Sequence, residues 1–180
     1  MKFQATIFIS GLLALALLAA CKSTKTLSYK AGSCDRLAVD LDQGTLNGLN
    51  GAASMDEVKK QLPCFTGETE EGSSFNCGGG LFYLDHDFYF YTHRNYIEIR
   101  KDFKGTMSQD MLGKSMSELG GAFSKPDKEK EYESTFSGTV TNYYEYRKKW
   151  GTLVIVIEDE AVIEVALHFG KEPGDVEYCL

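Results

Sequence analysis

Gly44-Thr45-Leu46-Asn47-Gly48-Leu49-Asn50-Gly51-Ala52-Ala53-Ser54-Met55-Asp56-Glu57-Val58 and, 61 residues on, Gly105-Thr106-Met107-Ser108-Gln109-Asp110-Met111-Leu112-Gly113-Lys114-Ser115-Met116-Ser117-Glu118-Leu119 align without a gap. Five of the fifteen positions are identical, which reads as an internal duplication. Both copies carry S-x-x-E ahead of an apolar position. In that capping box the serine accepts from the N3 amide, and the glutamate reaches back to the N-cap amide. The motif predicts helices over roughly 55–62 and 116–123, and Pro63 and Pro126 stand where helix stops are expected.

β-favouring sequence follows each helix. Leu81–Leu84, Phe88–Thr92 and Tyr96–Arg100 follow the first; Thr139–Arg147, Thr152–Ile157 and Ala161–Phe169 follow the second. Polar connections such as Asp85-His86-Asp87, His93-Arg94-Asn95, Lys149-Trp150-Gly151 and Glu158-Asp159-Glu160 suit antiparallel hairpins. Each copy therefore reads as a helix and a meander, with one sheet face packed on the helix and the other solvated. The expected fold class is α+β in two tandem repeats, 34–104 and 105–180.

The front of the chain reads differently. Met1–Phe3 carries one cation, Lys2, and Ala5–Ala20 is an uncharged, mostly apolar run. It is shorter than the ~20 apolar residues that span a bilayer and has the form of a signal-peptide core. It ends Leu18-Ala19-Ala20-Cys21, which resembles a bacterial lipobox. That resemblance implies a signal peptide over 1–20 and a Cys21 thiol that receives diacylglycerol, with palmitate among the expected acyl chains. Several acyl chains, at ~0.8 kcal/mol per buried CH₂, anchor stably where one would not. Lys22 and not aspartate follows Cys21, which by the enterobacterial sorting rule implies the outer membrane. Residues 21–33 read as the lipidated cysteine and a flexible polar tether.

Removal of 1–20 leaves 18 basic and 26 acidic side chains, net −8 against −7 for the whole chain. That balance excludes a nucleic-acid binder and suits a basic protein partner. Export also changes the reading of Cys34, Cys64, Cys77 and Cys179, which become disulfide candidates in an oxidising compartment. Zinc is disfavoured, because there is no CxxC and no nearby histidine pair. Four cysteines allow three pairings. Cys64 and Cys77 flank a polar twelve-residue stretch and suit a local staple, which leaves Cys34 for Cys179.

The duplicated Ser54–Val58 and Ser115–Leu119 segments, with Pro63, Pro126 and the strands after each, resemble the tandem fold of β-lactamase inhibitory proteins. They also resemble the single-unit BamE-like outer-membrane lipoproteins. The likeness covers about residues 40–170 and implies two repeats side by side, with helices on one face of an extended sheet and a concave face that grips another protein. In the inhibitor family a disulfide within a repeat joins helix to sheet, which would fit Cys64–Cys77. The second repeat lacks such a pair.

Enzymatic constellations are thin. G-x-S-x-G, H-E-x-x-H and a Walker loop are absent from the sequence. Gly78-Gly79-Gly80 lacks the lysine of a phosphate cradle. Asp85-His86-Asp87 and His93 fit turn chemistry better than a metal site, and His168 reads as a sheet-surface or interface residue. The acidic runs Glu68, Glu70, Glu71 and Glu158-Asp159-Glu160 read as solvated loops. Tyrosine is more informative. Phe88 and Phe90 alternate with Tyr89 and Tyr91, so a strand would send phenylalanines inward and tyrosines outward; Tyr144 and Tyr146 likewise share a face. Outward tyrosines make protein-binding surfaces, so Tyr89, Tyr91, Tyr144 and Tyr146 are the expected binding residues. The sequence thus points to a non-enzymatic envelope lipoprotein without cofactor, metal or small-molecule substrate, which binds a protein as an inhibitor or immunity protein. An architectural envelope-assembly role is the alternative.

Overall fold

Alternating side chains and tight polar turns leave this chain few choices other than strands. The computed structural model describes residues 32–70, 78–123, 125–135 and 137–178. In chain order come β1 (Ala38–Asp40), β2 (Thr45–Leu46), α1 (Met55–Gln61), β3 (Gly67–Thr69), β4 (Gly80–Tyr83), β5 (Phe88–Tyr91) and β6 (Tyr96–Arg100). There follow β7 (Thr106–Met107), α2 (Met116–Leu119), β8 (Lys128–Glu133), β9 (Val140–Lys148), β10 (Gly151–Glu158) and β11 (Ala161–Phe169). Eight strands form one antiparallel sheet in the order β3-β4-β5-β6-β11-β10-β9-β8. A second, three-stranded sheet runs β2-β1-β7, with β1 antiparallel to β2 and parallel to β7.

This architecture corrects the expected α+β fold. The chain is mostly β, with 41% strand, 12% helix and one large sheet, and is not two helix-plus-meander repeats with helices on a face. The physical reason lies just after the capping boxes. Ser54 caps α1 as expected: its amide donates to Glu57 Oε2 at 2.9 Å, and Glu57 N–H donates to Ser54 Oγ at 3.4 Å. Leu62 and Pro63 then stop the helix after seven residues. α2 has only four, because Gly120 at φ +70° ends it and the chain tightens into a 3₁₀ turn over Gly120–Phe123. One or two turns add little helical stability, because nucleation is costly. Ser54→Ala should cost about 1 kcal/mol in urea unfolding and Ser115→Ala less, because its helix is a single turn. Equal losses at the two serines would contradict that account.

One hydrophobic cluster fills the space between the two sheets. Leu81, Phe88, Phe90, Ile97, Ile99, Leu153, Ile155, Val165 and Leu167 of the large sheet meet Val39, Leu46, Val58, Leu62 and Met111, all buried. Each such large side chain contributes about 1.5–3 kcal/mol on removal from water. The two buried tyrosine hydroxyls in this layer are satisfied: Tyr83 donates to the Leu62 carbonyl at 2.9 Å and Tyr146 to the Phe123 carbonyl at 2.6 Å. Trp150, in the β9–β10 turn, donates from Nε1 to the Leu41 carbonyl at 3.1 Å. Its indole occupies the space a Cβ at Gly44 would need, and Gly44 itself has φ +65°. The opposite hairpin, β10–β11, turns through Asp159 and Glu160, both at positive φ, as a tight twisted hairpin requires.

A disulfide joins Cys34 to Cys64, with Cα atoms 6.1 Å apart. The expected pairing of Cys64 with Cys77 and Cys34 with Cys179 is therefore corrected. The stretch after Cys64 is not a free loop but carries β3, which pairs Gly67 with Phe82 and Thr69 with Gly80. Cys34 and Cys64 instead border the same core cluster. Cys21, Cys77 and Cys179 lie outside the described residues, as do the expected signal peptide and nearly all of the tether. Among the described residues no helix is long and apolar enough to cross a membrane.

Candidate functional site

The alternation that buries Ile97 and Ile99 turns Tyr96, Glu98 and Arg100 to the other face of the large sheet. On β11 the same rule sets Glu164, Ala166 and His168 opposite Val165 and Leu167. The β6–β11 register pairs Tyr96 with His168, Glu98 with Ala166 and Arg100 with Glu164, so these side chains form two adjacent rows. β5 contributes Tyr89 and Tyr91, opposite Glu98 and Tyr96, and Phe82 of β4 stands opposite Tyr89. On the far side β10 supplies Val154 and Val156, and β9 supplies Glu145 and Tyr143 across from them.

Aromatic rings run across this face in contact. Tyr89 and Tyr91 stack at 6.1 Å, Tyr91 and Tyr96 at 4.4 Å, and Tyr96 and His168 at 4.5 Å, while Phe82 meets Tyr89 edge-on at 5.4 Å. The Arg100 guanidinium lies 4.3 Å from the Tyr89 ring and its Nε donates to Glu98 Oε1. The C-terminal segment crosses the β9 side. Tyr178 packs on Tyr143 at 4.3 Å, and its hydroxyl and the Gly174 amide both donate to the Glu145 carboxylate. Lys130 of β8 completes that group, 3.1 Å from Glu145 Oε1 and 4.6 Å from the Tyr178 ring.

Burial raises the pKa of Tyr91, Tyr96, Tyr143 and Tyr178 on this face, and three carboxylates and one imidazole there also depart from their ordinary behaviour. Glu145 is fully buried; burial raises its pKa, but hydrogen bonds from Tyr178, Gly174 and Lys130 outweigh that and hold it below the ordinary carboxylate value. Glu98, 3% exposed, is raised by burial, with Arg100 opposing. Glu164 is pushed up to about 8, first by burial and then by the Glu98 charge. His168, 3% exposed, is lowered by burial to about 3, so its imidazole is neutral at physiological pH. A cleft of about 30 Å³ opens among Tyr96, Glu98, Tyr143, Glu164, His168 and Tyr178. A neighbouring one of about 110 Å³ is lined by His93, Arg94, Tyr96, His168, Lys171 and Glu177. Both are small beside the roughly 300–1,000 Å³ of sites that enclose small molecules.

The four expected binding tyrosines do not form one row. Tyr89 and Tyr91 lie on the aromatic face, Tyr89 partly exposed and Tyr91 buried. Tyr144 and Tyr146 share a face as expected, but it is the core face, where Tyr146 is buried. His86 ends a 3₁₀ turn over Leu84–His86, and Asp87 follows at φ +56°, accepting from the Asp102 amide at 2.8 Å. His86 approaches Cys34 and Cys64, whose sulfurs are tied in the disulfide and cannot serve as thiolate ligands. Glu68 pairs with Lys59 at 2.7 Å, and Asp159 and Glu160 make the β10–β11 turn. Sequence reasoning passed over Glu98, Glu145, Glu164 and Tyr178. The alternations Tyr96-Ile97-Glu98-Ile99-Arg100 and Glu164-Val165-Ala166-Leu167-His168 were the signal that could have found the first and third. Comparison with protein-family models, curated proteins and solved structures finds no match for the chain.

Proposed function

We propose that this chain is a non-enzymatic lipoprotein of the bacterial envelope, anchored through Cys21 in the outer membrane, that binds another protein through the aromatic face of its large sheet. The observation that supports this reading best is the part-exposed pair Phe82 and Tyr89, which meet edge-on at 5.4 Å and are backed by the buried, stacked Tyr91 and Tyr96. Rigid aromatics offer contact area at low ordering cost, and such residues dominate binding energy at interfaces. The −8 charge of the exported part favours a basic partner. That combination suits an inhibitor or immunity protein better than an assembly subunit.

Crosslinking and mass spectrometry on native envelopes, with the full lipidated chain as bait, should capture a basic envelope protein. The paired substitution Phe82→Ala and Tyr89→Ala should weaken capture about tenfold or more, as loss of interface anchors does. Capture unchanged by that pair would remove the face from the reading. Cys21→Ser should release the chain from the membrane fraction, and retention there would remove the lipid anchor.

A further inference from the structure

The small cleft between β6 and β11 is built like a receptor for a positive charge. Glu98 and Glu164 are diagonal neighbours across the ladder, since Glu98 pairs with Ala166. Glu98 already has a counter-ion in Arg100, whereas no hydrogen bond or ion pair from a described residue reaches the Glu164 carboxylate. His168 is 3% exposed, lines both clefts, and its ring nitrogens likewise receive no hydrogen bond from a described residue. An imidazole kept neutral by burial offers an acceptor nitrogen to an N–H donor. Tyr96, Tyr143 and Tyr178 wall the space, and tyrosine faces attract cations. Its volume of about 30 Å³ exceeds the ~10–15 Å³ needed to admit one water, and an ammonium head is close to a water in size.

We infer that this cleft binds a primary alkylammonium group, with Glu164 as its counter-ion, His168 as a neutral acceptor and the three tyrosines as its walls. The group can come from a lysine of the protein partner or from a free amine. The first source rests on the protein-binding reading, whereas recognition of the head group does not. Arg94 and Lys171 line the adjoining cleft and confine the positive charge to the Glu164 end. Glu164 carries its proton at neutral pH, so binding displaces that proton to solvent. Facing groups set the balance: Glu98 and Asp87 hold the proton on, Arg100 opposes them, and Tyr143, Glu177 and Tyr178 complete the surroundings.

The test uses the full lipidated chain in detergent micelles, with the carboxyl carbon of Glu164 followed by NMR. Titration in n-butylammonium chloride should lower the apparent pKa of Glu164 by a unit or more relative to sodium chloride at equal ionic strength. Butylammonium affinity should rise up to tenfold between pH 6 and 7. Identical titrations in the two salts would overturn the inference. Glu164→Gln keeps the shape and should lose butylammonium binding at least tenfold, while Lys171→Gln should not weaken it; equal binding by Glu164→Gln overturns the assignment. If butylammonium also displaces the captured partner, the group is the partner's lysine; if it binds without displacing it, the natural ligand is a free amine. Binding of butylammonium with no partner captured would leave the cleft assigned and the protein-binding reading refuted.

Discussion

Glu164→Gln is expected to stabilise the fold by about 2–4 kcal/mol at pH 8, at ~1.36 kcal/mol for each tenfold change in proton affinity and discounted for partial exposure. Folding raises the Glu164 pKa from 4.5 to about 8. Between those values the unfolded chain has released its proton while the native chain still holds it, so stability falls as pH rises through that window. Glutamine cannot ionise, so the variant escapes the fall and should match the parent below pH 4.5. His168 acts in the opposite sense. Its pKa is lowered from 6.5 to about 3, so its contribution is complete above 6.5 and is lost as pH falls toward 3. From pH 6.5 to 4.5 the gain from Glu164 and the loss from His168 offset each other, each about 2 kcal/mol. Urea midpoints of the parent should therefore be nearly flat across that range, whereas those of Glu164→Gln should drop on acidification. Parallel profiles for the two proteins would mean that Glu164 is not the source of the pH dependence.

The second large effect concerns the bridge at the start of the described chain. Cys34 and Cys64 are 30 residues apart, and closing a loop of that size removes about 3–4 kcal/mol of unfolded-state entropy. Cys34→Ser should lower unfolding free energy by that amount in urea, and peptide mapping without reduction should recover Cys34 and Cys64 in one linked fragment. A fragment linking Cys64 to Cys77 would overturn the assignment. The same map shows whether Cys77 and Cys179 are linked.

The long strands were legible in two ways: Phe88–Tyr91 alternates phenylalanine with tyrosine, whereas Gly151–Glu158 is a continuous apolar run buried on both faces. The short ones were not. β1, β2 and β7 span two or three residues each, too few to show any period, and exist because β1 lies between the other two. β8 reads Lys-Glu-Lys-Glu-Tyr-Glu, and with no aliphatic residue it looks like a solvated run. The helices misled for a different reason: a capping box marks where a helix starts but carries no information on its length. At the site, the shared face of Glu98 with Tyr96, and of Glu164 with His168, follows from local alternation. Their meeting depends on the register between β6 and β11, more than 60 residues apart in the chain. For Tyr144 and Tyr146 alternation could group them but not orient the group, since Tyr143 and Glu145 looked as eligible for either side. Tyr146 faces inward because its hydroxyl finds the Phe123 carbonyl there.

β8 also bears on how such a chain behaves when many copies share one surface. It stands at the outer edge of the large sheet, with backbone amides and carbonyls open along one side. A second copy pairing there would set a row of alternating lysines and glutamates against its own, and any slip by one residue along the strand would exchange attraction for repulsion. An edge written in alternating charge therefore admits a second copy in one parity of registers and rejects it in the other.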